Sequence, residues 1–210
     1  MNINKRKELI PTISRASPAL YLIIIVLYFA ISQSYNSIYL LLIFLFLSIS
    51  NTIAKYVISK PLYEILNKST LPILGLGERP KGATSCGLIL DNKLDTSFGM
   101  PSGHSQLAWA FAIYIICKIV SIVNNKYIKN INNINDKYKI NKYVIYSLII
   151  FTCLILLSIA YYISYSRVYI EGCHTIEQVS FGGIFGVFCG LLAFYFENDI
   201  ILFLRKYIRL

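Results

Sequence analysis

Tyr143 to Tyr165 reads YVIYSLIIFTCLILLSIAYYISY, a run without a single charged residue. A helix of about 20 apolar residues, rising about 1.5 Å per residue, crosses the roughly 30 Å hydrocarbon core of a bilayer. Four further segments meet the same need, at about Ser17–Ser32, Ser37–Ile58, Ser105–Val123 and Gln178–Phe196. Composition agrees. Hydrophobic residues make up 56% of the 210 and charged residues 14%, against about 25% charged in an ordinary soluble domain. The chain therefore reads as all-α, a polytopic membrane helix bundle of about five to six transmembrane helices. It forms one domain, 1–210, with its core over about 37–196. Lys5, Arg6 and Lys7 precede the first span as in a signal peptide, but no small-x-small cleavage site follows, so this span is expected to be retained.

The net charge is +10. The basic residues gather between the spans and form no stripe interleaved with aromatics, which argues against nucleic acid and for anionic membrane lipids as partners. Cys117, Cys153 and Cys189 lie inside spans and behave as small hydrophobes. No Cys/His ligand spacing marks a zinc site, and no carboxylate cluster offers itself to Mg²⁺. No metal or other cofactor is expected. The sequence carries no signal for an oligomeric state.

Parity supplies the first functional inference. Two spans separate the long Ser59–His104 connection from the short Ser166–Glu177 connection, so both emerge on the same membrane face. These connections contain the only two histidines of the chain, His104 and His174. Asn124–Lys142, rich in Asn and Lys, reads as a polar linker on the opposite face. The tail after Glu197 is expected to form a separate interfacial amphipathic helix. Lys and Arg are nearly balanced between the faces, so the positive-inside rule chooses no orientation.

The residues on the histidine face suit an anion. Gly99-Met100-Pro101-Ser102-Gly103-His104-Ser105-Gln106 leads into the third span. Pro, Ser and Gly favour a turn and helix start, and a helix start presents unpaired N–H groups that attract phosphate. Ser102 adds a hydroxyl donor, Gly103 admits close backbone approach, and His104 sits at the rim. In the second stretch, Ser166-Arg167 ends the fourth span, and His174 and Gln178 are spaced i, i+4 on one helix face. A Gln oxygen holding one imidazole N–H would leave the other ring nitrogen free to attack. The planar guanidinium of Arg167 matches phosphate oxygens. Arg79-Pro80, with Lys60, Lys68 and Lys81 nearby, adds positive charge. A helix cap with a snorkelling His, or an interfacial Arg and His, fits each stretch alone. Together they point to phosphoryl transfer, with a His nucleophile and a second His as acid.

Arg79-Pro80, then Pro101-Ser102-Gly103-His104, then Ser166-Arg167 followed by His174, resemble the three signature motifs of the type 2 phosphatidic acid phosphatase superfamily. The resemblance spans roughly Lys60 to Gly190. The Gly99–Gln106 stretch, Ser166-Arg167-Val168-Tyr169, and His174-Thr175 with Gln178-Val179 are similar to its dolichyl diphosphatase branch. The resemblance implies His174 as nucleophile, His104 as acid, Arg167 and Gln178 as catalytic partners, and Lys60, Arg79, Ser102, Gly103 and Arg167 as phosphate ligands. It also implies hydrolysis of a polyprenyl (dolichyl-type) diphosphate through a phosphohistidine. The setting would be an endoplasmic reticulum-type or other internal membrane in a eukaryotic or viral source. Three positions depart from the pattern. Pro72 stands where the first motif has Lys, so Lys60 is the expected replacement. Six residues rather than five separate Arg167 from His174. Gln178 replaces the usual Asp.

These departures keep two alternatives open: a phosphatidate or other lipid monophosphate phosphatase, and an inactive lipid-phosphate-binding membrane protein. Cys86 and Cys173 share the histidine face and would pair only if that face is oxidising. Asn67-Lys68-Ser69 is a glycosylation sequon that matters only if the loop is lumenal. Gly182, Gly186 and Gly190 place small residues along one helix face, a packing device in membranes. Trp109 reads as packing.

Overall fold

The computed structural model describes residues 3–66, 75–83, 86, 97–125 and 142–208. The sequon, Pro72, Lys68 and all but the ends of the Asn124–Lys142 linker lie outside the described residues. The helices in chain order are α1 (Ile3–Ser32), α2 (Tyr35–Ile53), α3 (Lys60–Ile65), α4 (Gly103–Val123), α5 (Lys142–Tyr165) and α6 (Ile176–Tyr207). A π-helical turn, Ala54–Ser59, joins α2 to α3, and a second, Ser166–Ile170, extends α5. Five segments are long and apolar enough to cross a membrane: Ile13–Ser32, Tyr35–Ile65, Gly103–Val123, Tyr143–Ile170 and Ile176–Tyr207. They match the five expected spans, each longer than its apolar run suggested. Among the described residues the only β pairing is an isolated bridge between Glu78 and Phe98.

The expected separate tail helix is absent, because α6 runs on to Tyr207. The charges after Phe196 do not stop it. Glu197 turns into the bundle, 3% exposed, and pairs with Lys118 of α4. A buried carboxylate held by a lysine no longer demands water, so helix and burial continue together.

Two caps set the helix starts. Ser34 caps α2 in a reciprocal box with Ser37, and Thr175 caps α6 in the same way with Gln178. Such boxes satisfy backbone N–H groups that a helix start leaves unpaired.

α4 lies at the centre. Its Leu107, Ala110, Phe111 and Tyr114 pack with Tyr39, Ile43 and Leu47 of α2, Ile25 of α1 and Cys189 of α6. The hydroxyl of Ser105 donates to the carbonyl of Val179 (2.9 Å) and meets the hydroxyl of Ser164 (2.9 Å), tying α4 to α6 and α5. Ser164 also accepts from the indole N–H of Trp109 at 3.1 Å, which gives that tryptophan its place in the packing. The outer face of α5 keeps Leu148, Ile150, Phe151 and Leu154 more than half exposed, as lipid contact requires.

α4 and α6 cross in close contact. A Cβ on Gly182 would stand 2.6 Å from the carbonyl oxygen of Ser102, and Cβ atoms on Gly186 and Gly190 would strike the carbonyls of Gln106 and Ala110. Those oxygens belong to a helix backbone that cannot yield alone. Gly186→Val should therefore lower the stability of the detergent-solubilised protein by about 1–3 kcal/mol, the usual cost of overpacking. Leu191→Val, at a half-exposed lipid-facing position, should change it by no more than about 0.5 kcal/mol. Thermal unfolding of the two variants provides the comparison.

Candidate active site

The turn between α5 and α6 delivers His174. The π turn at Ser166–Ile170 is closed by the N–H of Glu171 on the carbonyl of Ser166 (2.8 Å). A π turn holds more residues than an α turn, so it takes up length without unravelling the helix. Gly172 then adopts φ +61°, a left-handed conformation that costs glycine little. The chain doubles back, and the N–H groups of Cys173 (2.9 Å) and His174 (3.2 Å) both donate to the carbonyl of Arg167. The sixth residue between Arg167 and His174 is thus absorbed by the wide turn and the glycine, and His174 returns beside Arg167.

Gln178 sets the imidazole. Its amide N–H₂ donates to the carbonyls of Glu78 (2.9 Å) and Gly77 (3.4 Å), which directs its oxygen the other way. That oxygen accepts from the backbone N–H of Thr175 and from Nδ1 of His174, both at 3.3 Å. The assignment follows from the network: Nδ1 carries the proton and Nε2 presents a lone pair. Gly99 is required beside this amide, since a Cβ there would strike the Gln178 side chain.

Arg79 occupies the approach to the free nitrogen. Its Nη1 donates to His174 Nε2 (3.1 Å) and to the carbonyl of Cys173 (3.0 Å), while its Nε donates to Ser97 Oγ (2.9 Å). Arg167 is fully buried, paired with Glu171 and donating from Nη2 to the carbonyl of Cys86 (2.8 Å). Glu171 also accepts from Ser166 Oγ (2.9 Å) and lies 3.7 Å from Arg15 Nε. Cys86 and Cys173 form a disulfide, which fastens the backbone that holds Arg167 to the residue before His174.

The PSGH segment completes the site. Ser102 starts α4, its N–H donating to the carbonyl of Gln178 (3.2 Å). Its hydroxyl makes no capping bond and is buried without a partner among the described residues. Arg167 Nε and Arg15 Nε and Nη1 are likewise buried without a hydrogen bond. Buried polar groups are rarely left so, and here every one can donate to an oxyanion. His104 donates from Nε2 to the carbonyl of Arg15 (3.0 Å). Gly103 lies against the side chain of Asn51, where a Cβ would stand 3.1 Å from its Oδ1.

His174, Gln178, Arg79, Arg167, Ser102, Gly103 and His104 are thus gathered at one end of the bundle. Lys60 is not among them. It is exposed on the first turn of α3, and Lys55, inside the preceding π turn, is buried instead. The π turn rotates Lys55 and Ser59 inward and leaves Lys60 outside. The charge of Lys55 bears on both histidines. Its signal was present in the sequence, as a lysine inside an apolar span, where a charge is costly unless it has work to do. Arg15 and Glu171 carried no comparable signal.

Burial lowers the His174 pKa well below 6.5, and the charges of Arg79, Arg167, Lys55 and His104 push it the same way. The imidazole is therefore neutral at physiological pH. The stability consequence has a definite sign. As pH falls below about 6.5, the unfolded chain takes up a proton at this residue and the folded chain does not. Folded stability should then decline toward acid, by at most about 1.4 kcal/mol per pH unit from this group. His174→Asn should flatten that part of the slope, as measured by melting temperature between pH 7 and pH 5.

Comparison with known proteins places this geometry. The model of the PAP2 superfamily matches residues 36–201. Among curated relatives, dolichyldiphosphatase 1 of Homo sapiens is 32% identical over 106 residues, as is that of Callithrix jacchus, and that of Mus musculus is 31% identical. The match takes in 50% of this chain and 39% of each relative. No solved structure gives a significant match. The family match runs from the start of α2 into the last part of α6, enclosing both histidines and all three motifs, and the chain belongs to the PAP2 superfamily.

Proposed function

We propose that this chain is an integral membrane lipid phosphatase that hydrolyses a polyprenyl diphosphate through a phosphohistidine at His174. One observation carries the proposal: the unprotonated ring nitrogen of His174 faces the guanidinium of Arg79, while its other nitrogen is held by Gln178. The arriving phosphate takes the place of the imidazole as acceptor for Arg79, with Arg167, Lys55 and the Ser102 hydroxyl as further donors. Nε2 attacks the terminal phosphorus as the bond to the bridging oxygen breaks. His104, whose Nε2–H stays on the carbonyl of Arg15, takes up a second proton on Nδ1 as the anionic diphosphate enters and gives that proton to the departing oxygen, releasing the lipid monophosphate. Water then attacks the phosphorus of the phosphohistidine with His104 taking its proton, the P–N bond breaks, and phosphate leaves with His174 restored. Positioning and charge neutralisation supply most of such a reaction, so no metal or other cofactor is needed.

The similarity to dolichyldiphosphatase 1 supports a dolichyl-type diphosphate as substrate. The Cys86–Cys173 bond supports an active face directed to an oxidising compartment, such as the lumen of the endoplasmic reticulum.

Purified protein in detergent with a chelator should release phosphate from dolichyl diphosphate faster than from phosphatidate, and His174→Ala should lose turnover by at least about 10³-fold. A base-stable, acid-labile phosphoenzyme should be trapped in the wild type. Full turnover in His174→Ala would sink the mechanism. Faster release from phosphatidate would move the substrate to a lipid monophosphate. Lipid binding with no turnover would leave a binding protein.

The disulfide generates its own test. Thiol reagents should label Cys86 and Cys173 of the membrane-embedded protein only after reduction. Cys86→Ser, by loosening the carbonyl that holds Arg167, should lower kcat by about tenfold or more.

A further inference from the structure

Resting on the reaction just proposed, we infer that Arg15 of α1 binds the phosphate that stays on the lipid, and so sets a preference for diphosphates over monophosphates. Arg15 is 8% exposed. Among the described residues its Nε and Nη1 make no hydrogen bond, and the anion beside it, Glu171 Oε2, stands 3.7 Å from Nε. A buried guanidinium with two idle N–H groups is costly unless an anion completes it.

Its position decides which anion. The backbone carbonyl of Arg15 holds Nε2 of His104 at 3.0 Å. His104 is the proposed donor to the departing oxygen, so the backbone of Arg15 lies beside the leaving group, and its guanidinium reaches from there toward Glu171. Arg79 stands at His174, on the side of the transferring phosphoryl group. In an in-line transfer these sides are opposite. When a diphosphate reacts, the group leaving toward His104 is itself a phosphate ester carrying anionic oxygens. When a monophosphate reacts, the leaving group is an alcohol with no charge for Arg15 to meet.

Glu171 fits the same account. Its carboxylate lies between Arg15 and Arg167. It is firmly paired with Arg167 and Ser166, yet only loosely with Arg15. Arg15 is thus the cation most easily given up to an incoming oxyanion. It acts as a specificity-determining residue whose contribution appears only when a second phosphate is present.

The test compares kcat/KM of the full-length protein on farnesyl diphosphate and farnesyl monophosphate. Arg15→Gln should lower the value for the diphosphate about ten- to a hundredfold more than for the monophosphate. Arg15→Lys, which keeps the charge but not the planar fork, should fall between. Where monophosphate turnover is too slow to follow, competitive inhibition by inorganic diphosphate and by orthophosphate gives the same ratio. Glu171→Gln should leave the ratio within about twofold of wild type. Equal losses on both substrates in Arg15→Gln, or Glu171→Gln reproducing its effect, would make Arg15 a structural ion-pair partner and overturn the inference. A wild-type chain that cleaves neither lipid would remove the underlying reaction and the inference with it. A wild type that cleaves the diphosphate while Arg15→Gln keeps the ratio overturns the inference alone.

Discussion

The side-chain amide of Gln178 joins three things that must agree: the start of α6, the tautomer of His174, and the backbone of the loop carrying Arg79. An amide has a donor end and an acceptor end, so fixing one fixes the other. The carbonyl of Glu78 claims the donor end, and the acceptor end then holds Nδ1–H and the Thr175 N–H. Helix capping and preparation of the nucleophile are one arrangement. An Asp here would stabilise an imidazolium more strongly, but it has no N–H₂ with which to hold the loop.

Around this amide the structure manages an excess of positive charge. Arg15, Lys55, Arg79 and Arg167 converge, with Glu171 as the carboxylate paired to two of them. Such a cluster is stable enough to fold because its cations are spread over separate backbone anchors: the carbonyl of Cys173 for Arg79 and that of Cys86 for Arg167. The remaining unpaired donors define an anion's outline. Binding energy is thereby held ready for a group whose charge is spread over several oxygens.

The spans and the meeting of the two histidines were legible because they depend on coarse features. Run length and parity survive any local irregularity. Lys55 stands out in the sequence as a charge inside an apolar span, but its place in the site does not. The first motif's lysine position falls on Pro72 and Lys60 reads as its replacement, but a π turn shifts which side chain faces inward, and no residue type announces such a turn in advance. The six-residue gap before His174 reads in the sequence only as a departure from the pattern; the wide turn at Ser166–Ile170 and the left-handed Gly172 that accommodate it appear in the fold. The tail after Glu197 looked like a surface helix because its charges were read singly, and the partner of Glu197 lies 79 residues away on α4. Arg15 is similar, since its neighbours come from the far end of the chain.

The bond between Cys86 and Cys173 makes insertion direction and competence a single question. Both cysteines emerge with the histidines. A copy threaded the wrong way would present them to a reducing cytosol, where the link does not persist. The carbonyl that steadies Arg167 would then be untethered from the residue beside His174. On the proposed function, a misoriented copy would be hampered by the redox state of the side on which it landed, and lipid phosphates on that side would be spared.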